Sequence, residues 1–563
     1  MTRRTQPADT PLGDAFHVYD TTLRDGAQRE GISYSVSDKL AVARLLDGIG
    51  VGFIEGGWPG ALPKDTELFA RAAAGELQLR HAALVAFGAT RRPGAVAADD
   101  PQVRALLDSQ APVVTLVAKS DRRHVERALR TSVEENLAMV RDTVALLTAE
   151  GRRVFLDCEH FFDGYRFDPD CALRVLDAAA GAGADVVVLC DTNGGQLPLH
   201  LAETVAEVVA RTGFRVGIHC QDDTACAVAN TVAAVQAGAT HVQCTANGYG
   251  ERTGNADLFA VVGNLVAKLD LPALPPAAMA ELTRVSHALA EIANIAPDSH
   301  QAYVGTSAFA HKAGLHASAI KVDPDLYNHT NPVTVGNDMR VLVTEMAGRA
   351  SVELKGRELG LDLAGRGDAV STVTRRVKEL EARGWSFEAA DASFELLMRG
   401  ELESEPPGPP FALESYRVVV DHRADGEVVA EATVKVHVGG QRVISTAEGN
   451  GPVNALDAAL RAALRPHLPW LDTVELADYK VRIIPAARGS HPEAHGTDAV
   501  TRVLISSSDG RQEWTTVGVH GNVVEASWLA LVDAWAFAAL RAAREWQMVP
   551  EHHLPLTTCP QAD

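Results

Sequence analysis

Phe16-His-Val-Tyr-Asp-Thr-Thr-Leu-Arg-Asp-Gly-Ala-Gln28 decides between two architectures. Its first part reads as a short strand, Phe16–Leu23. The segment after that strand, Arg24-Asp25-Gly26-Ala27-Gln28, is not the Gly-rich phosphate turn that opens a doubly wound dinucleotide-binding sheet. Downstream, strand-like runs recur at Gly52–Gly57, His81–Gly88, Val113–Lys119, Arg153–His160, Asp185–Asp191, Arg215–His219 and His241–Thr245. Amphipathic helical stretches separate them, among them Ser37–Gly50, Ser132–Glu150, Pro169–Gly183 and Ala225–Gly238. Ser37 is expected to cap the first of these, Pro169 suits a first turn, and Gly50, Gly183 and Gly238 suit C-terminal stops. Strand and helix alternating over about 250 residues predict an α/β fold of the (β/α)8 TIM-barrel type.

The chain has 563 residues, enough for two to four domains at roughly 100–200 residues each. The barrel is expected at 14–270. Pro272, Pro275 and Pro276 open helical linker subdomains over 271–400. The stretch Glu401-Leu-Glu-Ser-Glu-Pro-Pro-Gly-Pro-Pro410 begins an acidic, proline-rich linker at 401–411. A C-terminal α+β domain is expected at 412–545. Its strands would be Tyr416–Val420, Val428–Val438 and Tyr479–Pro485, and its helices Gly451–Leu464 and Asn522–Arg544. Residues 546–563 read as a poorly ordered tail.

Lys plus Arg number 52 against 73 Asp plus Glu, a net charge of −21. That balance argues against nucleic acid or an anionic membrane as partner, though a local basic patch could still hold a small polyanion. No window of ~18 uninterrupted apolar residues is present, so no spanning helix is expected. The first ten residues lack the apolar region of a signal peptide. Seven cysteines, never in CxxC spacing, read as reduced and mostly buried thiols, consistent with a cytoplasmic location.

In a barrel, chemistry belongs to the C-terminal strand ends and the loops after them. Those places collect Arg24, Asp25 and Gln28, then Glu55, Glu159, Thr192, the His219-Cys-Gln-Asp-Asp223 run, and Asn247-Gly-Tyr-Gly-Glu-Arg252-Thr-Gly-Asn255. His219 and Gln221 are two apart on a strand and so face one side. With Asp25 and Asn255 they offer a carboxylate, an imidazole and two amide oxygens, a set suited to a divalent cation. The competing reading pairs Asp25 with Arg24 or Arg252 and leaves His219 as a satisfied barrel histidine; spacing alone leaves both open. His124, His160, His200 and His241 read as loop or interface histidines. The glycines at Gly439-Gly440 and Gly449-Asn-Gly451 read as turns.

The two barrel motifs, Asp20–Gln28 and Asn247–Asn255, resemble the alkylmalate synthase family, the 2-isopropylmalate, homocitrate and citramalate synthases, with hydroxymethylglutaryl-CoA lyase a more distant relation. The resemblance continues through Tyr303–His316, Val341–Arg349, Trp514–Val519 and Asn522–Trp528. Within the family, Leu156–Gly164 and Leu189–Gly195 are most similar to the citramalate branch. The resemblance implies a metal-assisted Claisen-type condensation of acetyl-CoA with a 2-oxo acid, pyruvate favoured, and subsequent thioester hydrolysis. It implies Asp25, His219, Gln221 and Asn255 as metal positions, and Arg24, Glu159, His316 and Tyr327 as catalytic ones. Gln28, Glu55, Thr192 and Arg252 are candidates for holding substrate. A homodimer and a branched-chain amino-acid effector are also implied. The family's second metal histidine is replaced by Gln221, a harder and weaker donor. That favours Mg or Mn over Zn, or else leaves the position to water or Asp222, or impairs the site. Cys244 and Ala313 stand where glycine is common. The alternatives are the same chemistry on another 2-oxo acid in a specialised pathway, and a catalytically impaired ligand-binding paralogue.

Overall fold

The structure is a computed structural model and describes residues 13–344, 346–484 and 499–548. The N-terminal ten residues, Pro485, Cys559 and most of the expected tail lie outside the described residues. The chain forms two compact units: one runs to Phe309 and takes in Asn328–Met339, the other comprises Ala310–Tyr327 and the chain from Arg340 on.

The first unit is a closed eight-stranded parallel barrel. Its strands are β1 (His17–Asp20), β2 (Phe53–Gly57), β3 (Ala83–Ala89), β4 (Val113–Lys119), β5 (Arg153–Glu159), β6 (Val186–Asp191), β7 (Val216–Cys220) and β8 (His241–Cys244). Each pairs with the next, and β8 closes on β1. Alternation within the strands sorts the side chains. Val18, Ile54, Val114, Leu156 and Ile218 face the surrounding helices in one large apolar core, while Tyr19, Phe53, Val113, Phe155 and Val188 fill the interior. The N-terminal floor is closed by His17, Phe53, Phe155 and His241, with ring centroids 4.8–6.3 Å apart. Asp14, Arg153 and Arg215 bond around His17. Gly217 faces inward on β7 because a Cβ there would stand 2.8 Å from the His241 ring.

Several expectations shift. The first helix, Val36–Gly48, is capped by Ser35, not Ser37. Ser35 is extended and its hydroxyl accepts from the Asp38 N–H at 3.2 Å, while Asp38 accepts from the Ser35 N–H at 2.8 Å. β1 ends at Asp20, since Arg24 and Gly26 both donate backbone bonds back to the Thr21 carbonyl and start a turn. Residues 271–309, expected beyond the barrel, pack with it: Leu274, Leu282, Val285 and Leu289 are buried in its core.

The second unit carries two three-stranded antiparallel sheets. One is β9 (Ala412–His422), β10 (Val428–Val438) and β11 (Gln441–Gly449); the other is β12 (Glu475–Ile484), β13 (Val500–Ser508) and β14 (Glu513–His520). Helix Pro452–Leu464 packs on the first sheet and helix Val523–Met548 on the second. The expected linker does not separate cores. Helix Asp391–Leu402 runs into its acidic end, and Phe394 and Met398 share one core with Val517 and Val519 of β14. The C-terminal helix contains Val523–Arg544, a stretch long and apolar enough to cross a membrane. The sequence does not predict a span there, because Glu525, Asp533 and Arg541 interrupt its apolar run. Within the unit 56% of its most apolar window is buried, as in a core helix.

Candidate active site

The C-terminal mouth of the barrel holds a cavity of about 530 Å³ whose walls include Arg24, Asp25, Gln28, Glu159, Thr192, His219, Gln221 and Arg252. Asp25 comes from the turn after β1, and His219 lies on β7. The Gly-rich loop after β8 delivers Asn255. A Cβ at Gly254, where φ is +96°, would meet the Gly248 carbonyl at 1.9 Å, so only glycine allows the loop to fold this tightly. Backbone bonds from Asn255 to Gly248, from Asp222 to Gly254 and from Ala256 to Cys220 pin the loop, and a bridge sets Gln221 against Asn255.

Asp25, His219 and Gln221 converge on one point. His219 Nε2 is 3.2 Å from Asp25 Oδ2, and Gln221 Nε2 is 3.3 Å from both. Asn255 donates through Nδ2 to the Tyr249 carbonyl at 3.0 Å, which leaves Oδ1 as its acceptor end. All four side chains are at least nine-tenths buried. Gln221 Oε1 is buried without a hydrogen-bond partner. With Oε1 free of other partners, the amide can turn to present that oxygen to a divalent cation beside Asp25 and His219. The donor set therefore fits a cation. Among the described residues no group of three or more His, Cys, Asp and Glu side chains gathers as a metal cluster; two of these four donors are amides. Burial alone would raise the Asp25 carboxyl, but Arg24, His219 and Gln221 outweigh it and hold it well below the carboxylate range. His219 is raised, with Asp25 overcoming the effect of burial.

Arg24 is fixed from three sides. Its Nε donates to Glu55 Oε2 at 2.8 Å, its guanidinium lies 3.9 Å over the Phe87 ring, and Asp25 is 3.7 Å away. Glu55 is fully buried and also accepts from Tyr19 at 2.6 Å and from Thr21. It sits behind Arg24 rather than on the cavity wall, so it is not placed for the substrate contact expected of it. Glu159 forms an ion pair with Lys119 and lies 3.9 Å from His160 Nε2. Thr192 accepts from the His160 N–H at 2.8 Å. Arg252 reaches Asp223 by two bonds, at 2.8 and 2.9 Å, and the Thr192 carbonyl at 3.0 Å. Of the two arginines that could pair with Asp25, Arg24 does so at 3.7 Å, while Arg252 is taken up by Asp223. His316 and Tyr327 belong to the second unit, where their rings stack at 4.2 Å.

Sequence reasoning does not single out Asp157 or Gln243. Asp157 lines the cavity and Gln243 is buried beneath it, linking Asp157 to His219. Their signal is the two-residue alternation on β5 and β8, which puts Asp157 in line with Glu159. Burial and Glu55 push the Asp157 carboxyl up to about 7. The expected thiols are present: Cys158, Cys171, Cys190, Cys220 and Cys244 are buried and free.

Three family models match in chain order: HMGL-like over residues 15–289, homocitrate synthase post-HMGL domain-like over 303–384, and the LeuA allosteric (dimerisation) domain over 388–538. An (R)-citramalate synthase of Streptomyces coelicolor is 63% identical over 535 residues, covering 95% of this chain and 98% of the relative. The chain belongs to the alkylmalate synthase family. Another (R)-citramalate synthase, from Synechocystis, is 48% identical over 92% of this chain and 94% of its own length. That of Aquifex aeolicus is 44% identical over 95% and 99%. A probable 2-isopropylmalate synthase of Methanopyrus kandleri, from another branch of the alkylmalate synthases, is 31% identical over 92% and 98%. This alkylmalate synthase is an acyltransferase whose catalytic barrel precedes a regulatory-type domain.

Proposed function

We propose that the chain condenses acetyl-CoA with pyruvate to give (R)-citramalate and free CoA. The observation that carries this reading is the 63% identity to an (R)-citramalate synthase over nearly the whole of both chains. A divalent cation held by Asp25, His219, Gln221 and Asn255 supplies Lewis-acid polarisation of the 2-oxo acid. The mostly oxygen donors support Mg or Mn over Zn. Arg24 faces the keto oxygen and stabilises the negative charge that develops there. Glu159, whose charge Lys119 balances, removes a proton from the acetyl methyl carbon. The carbanion forms the new C–C bond at the keto carbon, and the former keto oxygen takes up a proton. Water then cleaves the thioester and releases the CoA thiol. Gln28, Thr192 and Arg252 border the substrate, Arg252 adding positive charge for two anionic reactants. His316 and Tyr327 keep the catalytic roles expected of them, in a homodimer. The C-terminal sheets take a branched-chain amino acid as effector, and the enzyme works in the cytoplasm.

The test is thiol release from acetyl-CoA against a panel of 2-oxo acids with Mg or Mn present. Turnover highest on pyruvate is expected. A higher kcat/KM on a larger 2-oxo acid would move the chain to a specialised pathway. No turnover on any of them would favour the ligand-binding reading, with Gln221 as the suspect residue.

A further inference from the structure

We propose that Gln243 is a positioning residue that selects the ring tautomer of His219, and that Asp157 sets the direction of Gln243. The proposal rests on the cation-binding role of His219. Gln243 is 1% exposed, on β8 inside the barrel. Its Nε2 donates to Asp157 Oδ1 at 2.8 Å, and its Oε1 faces His219 Nδ1, also at 2.8 Å. A side-chain amide has one donor end and one acceptor end. With its N–H given to an Asp157 oxygen, its carbonyl faces the ring, and Nδ1 carries the proton. With the proton fixed on Nδ1, Nε2, the nitrogen that faces Asp25 and Gln221, is the one left to bind a cation in place of any proton it shares with Asp25. The reversed amide would set an N–H against Nδ1, move the ring proton to Nε2 and withdraw the ligand. Two buried hydrogen bonds therefore prepare His219 for a cation before one arrives. Because Asp157 also lines the substrate cavity, a side chain in contact with that space is coupled to the ring through a single amide.

The experiment uses the full chain with ¹⁵N-labelled histidine, taking the signal lost in His219→Gln as that of His219, together with calorimetric Mn²⁺ binding without substrate. Wild type is expected to show the Nδ1-protonated ring. Gln243→Leu should lower Mn²⁺ affinity about 10–100-fold and bring in the Nε2-protonated ring. Gln243→Glu, whose carboxylate still accepts from Nδ1, should keep both properties near wild type. Asp157→Asn leaves Gln243 in place but frees its direction, and should give a mixture of tautomers with a smaller loss of affinity. An unchanged tautomer and unchanged affinity in Gln243→Leu would overturn the role of Gln243; a wild-type spectrum in Asp157→Asn would overturn that of Asp157. If wild type binds no Mn²⁺, the cation reading fails instead, and the tautomer signals still judge Gln243.

Discussion

Arg24 shows how much of a single residue's chemistry is set by what lies behind it. Its Nε is spent on Glu55 and its face on Phe87, so its orientation is fixed before substrate enters. Lysine keeps the charge but neither the fork nor the flat face. Arg24→Lys should lower kcat by about 10²–10³-fold with little change in KM for acetyl-CoA, as loss of an oxyanion donor does. Steady-state kinetics with both substrates varied would test this. Gln221→His replaces an amide with a softer nitrogen donor. The expected outcome is tighter Zn binding relative to Mg, read by calorimetry with each metal alone. Asp25, His219 and Asn255 are legible in the sequence because their motifs are contiguous and the resemblance is specific. Gln243 is not, since its meaning depends on β5, β7 and β8 lying side by side. Glu55 is legible as important but not as buried, because a strand-end carboxylate looks the same in sequence whether it faces substrate or an arginine.

At the scale of elements, helices and strands are legible where caps and alternation agree, and boundaries are not. Ser35 and Ser37 are equal candidates in sequence; the extended backbone at Ser35 and the return bond from Asp38 decide between them. The contact of helix Asp391–Leu402 with β14 and the C-terminal helix is invisible for another reason. It joins Ser393 to the Val517 N–H at 3.0 Å and to Asp533 at 2.6 Å across more than a hundred residues. Burial pushes the Asp533 carboxyl up to about 6, only partly opposed by Ser393. That is above its unfolded value of about 3.9, so the folded state holds the extra proton. Its contribution to stability is full below pH ~4 and is lost as pH rises through about 6. Asp533→Asn should therefore stabilise the second unit by about 1–2 kcal/mol at pH 8 and by almost nothing at pH 3.5. Denaturant melts at both pH values would test this, and an equal gain at each would contradict it.

For the whole molecule, the order of barrel, helices and α+β end is readable from pattern changes along the chain. The grouping of their cores is not. A cut in the acidic stretch at 401–411 follows the composition, yet it would leave Phe394 and Met398 without Val517 and Val519. Chains ending there should aggregate or melt well below the full protein, seen by light scattering and calorimetry. Whether leucine or isoleucine acts as the proposed effector is better sought through point changes on the C-terminal sheets. The −21 net charge bounds partners only in bulk; the reactants are anions, and on the proposed reading a bound cation with Arg24 and Arg252 would offset that charge at the barrel mouth. The plugged base of the barrel governs traffic as well. With His17, Phe53, Phe155 and His241 filling that end, the passage has one door. Spent coenzyme must back out along the path by which the next molecule comes in, so CoA is expected to compete with acetyl-CoA for entry, an inhibition that initial rates with added CoA would show.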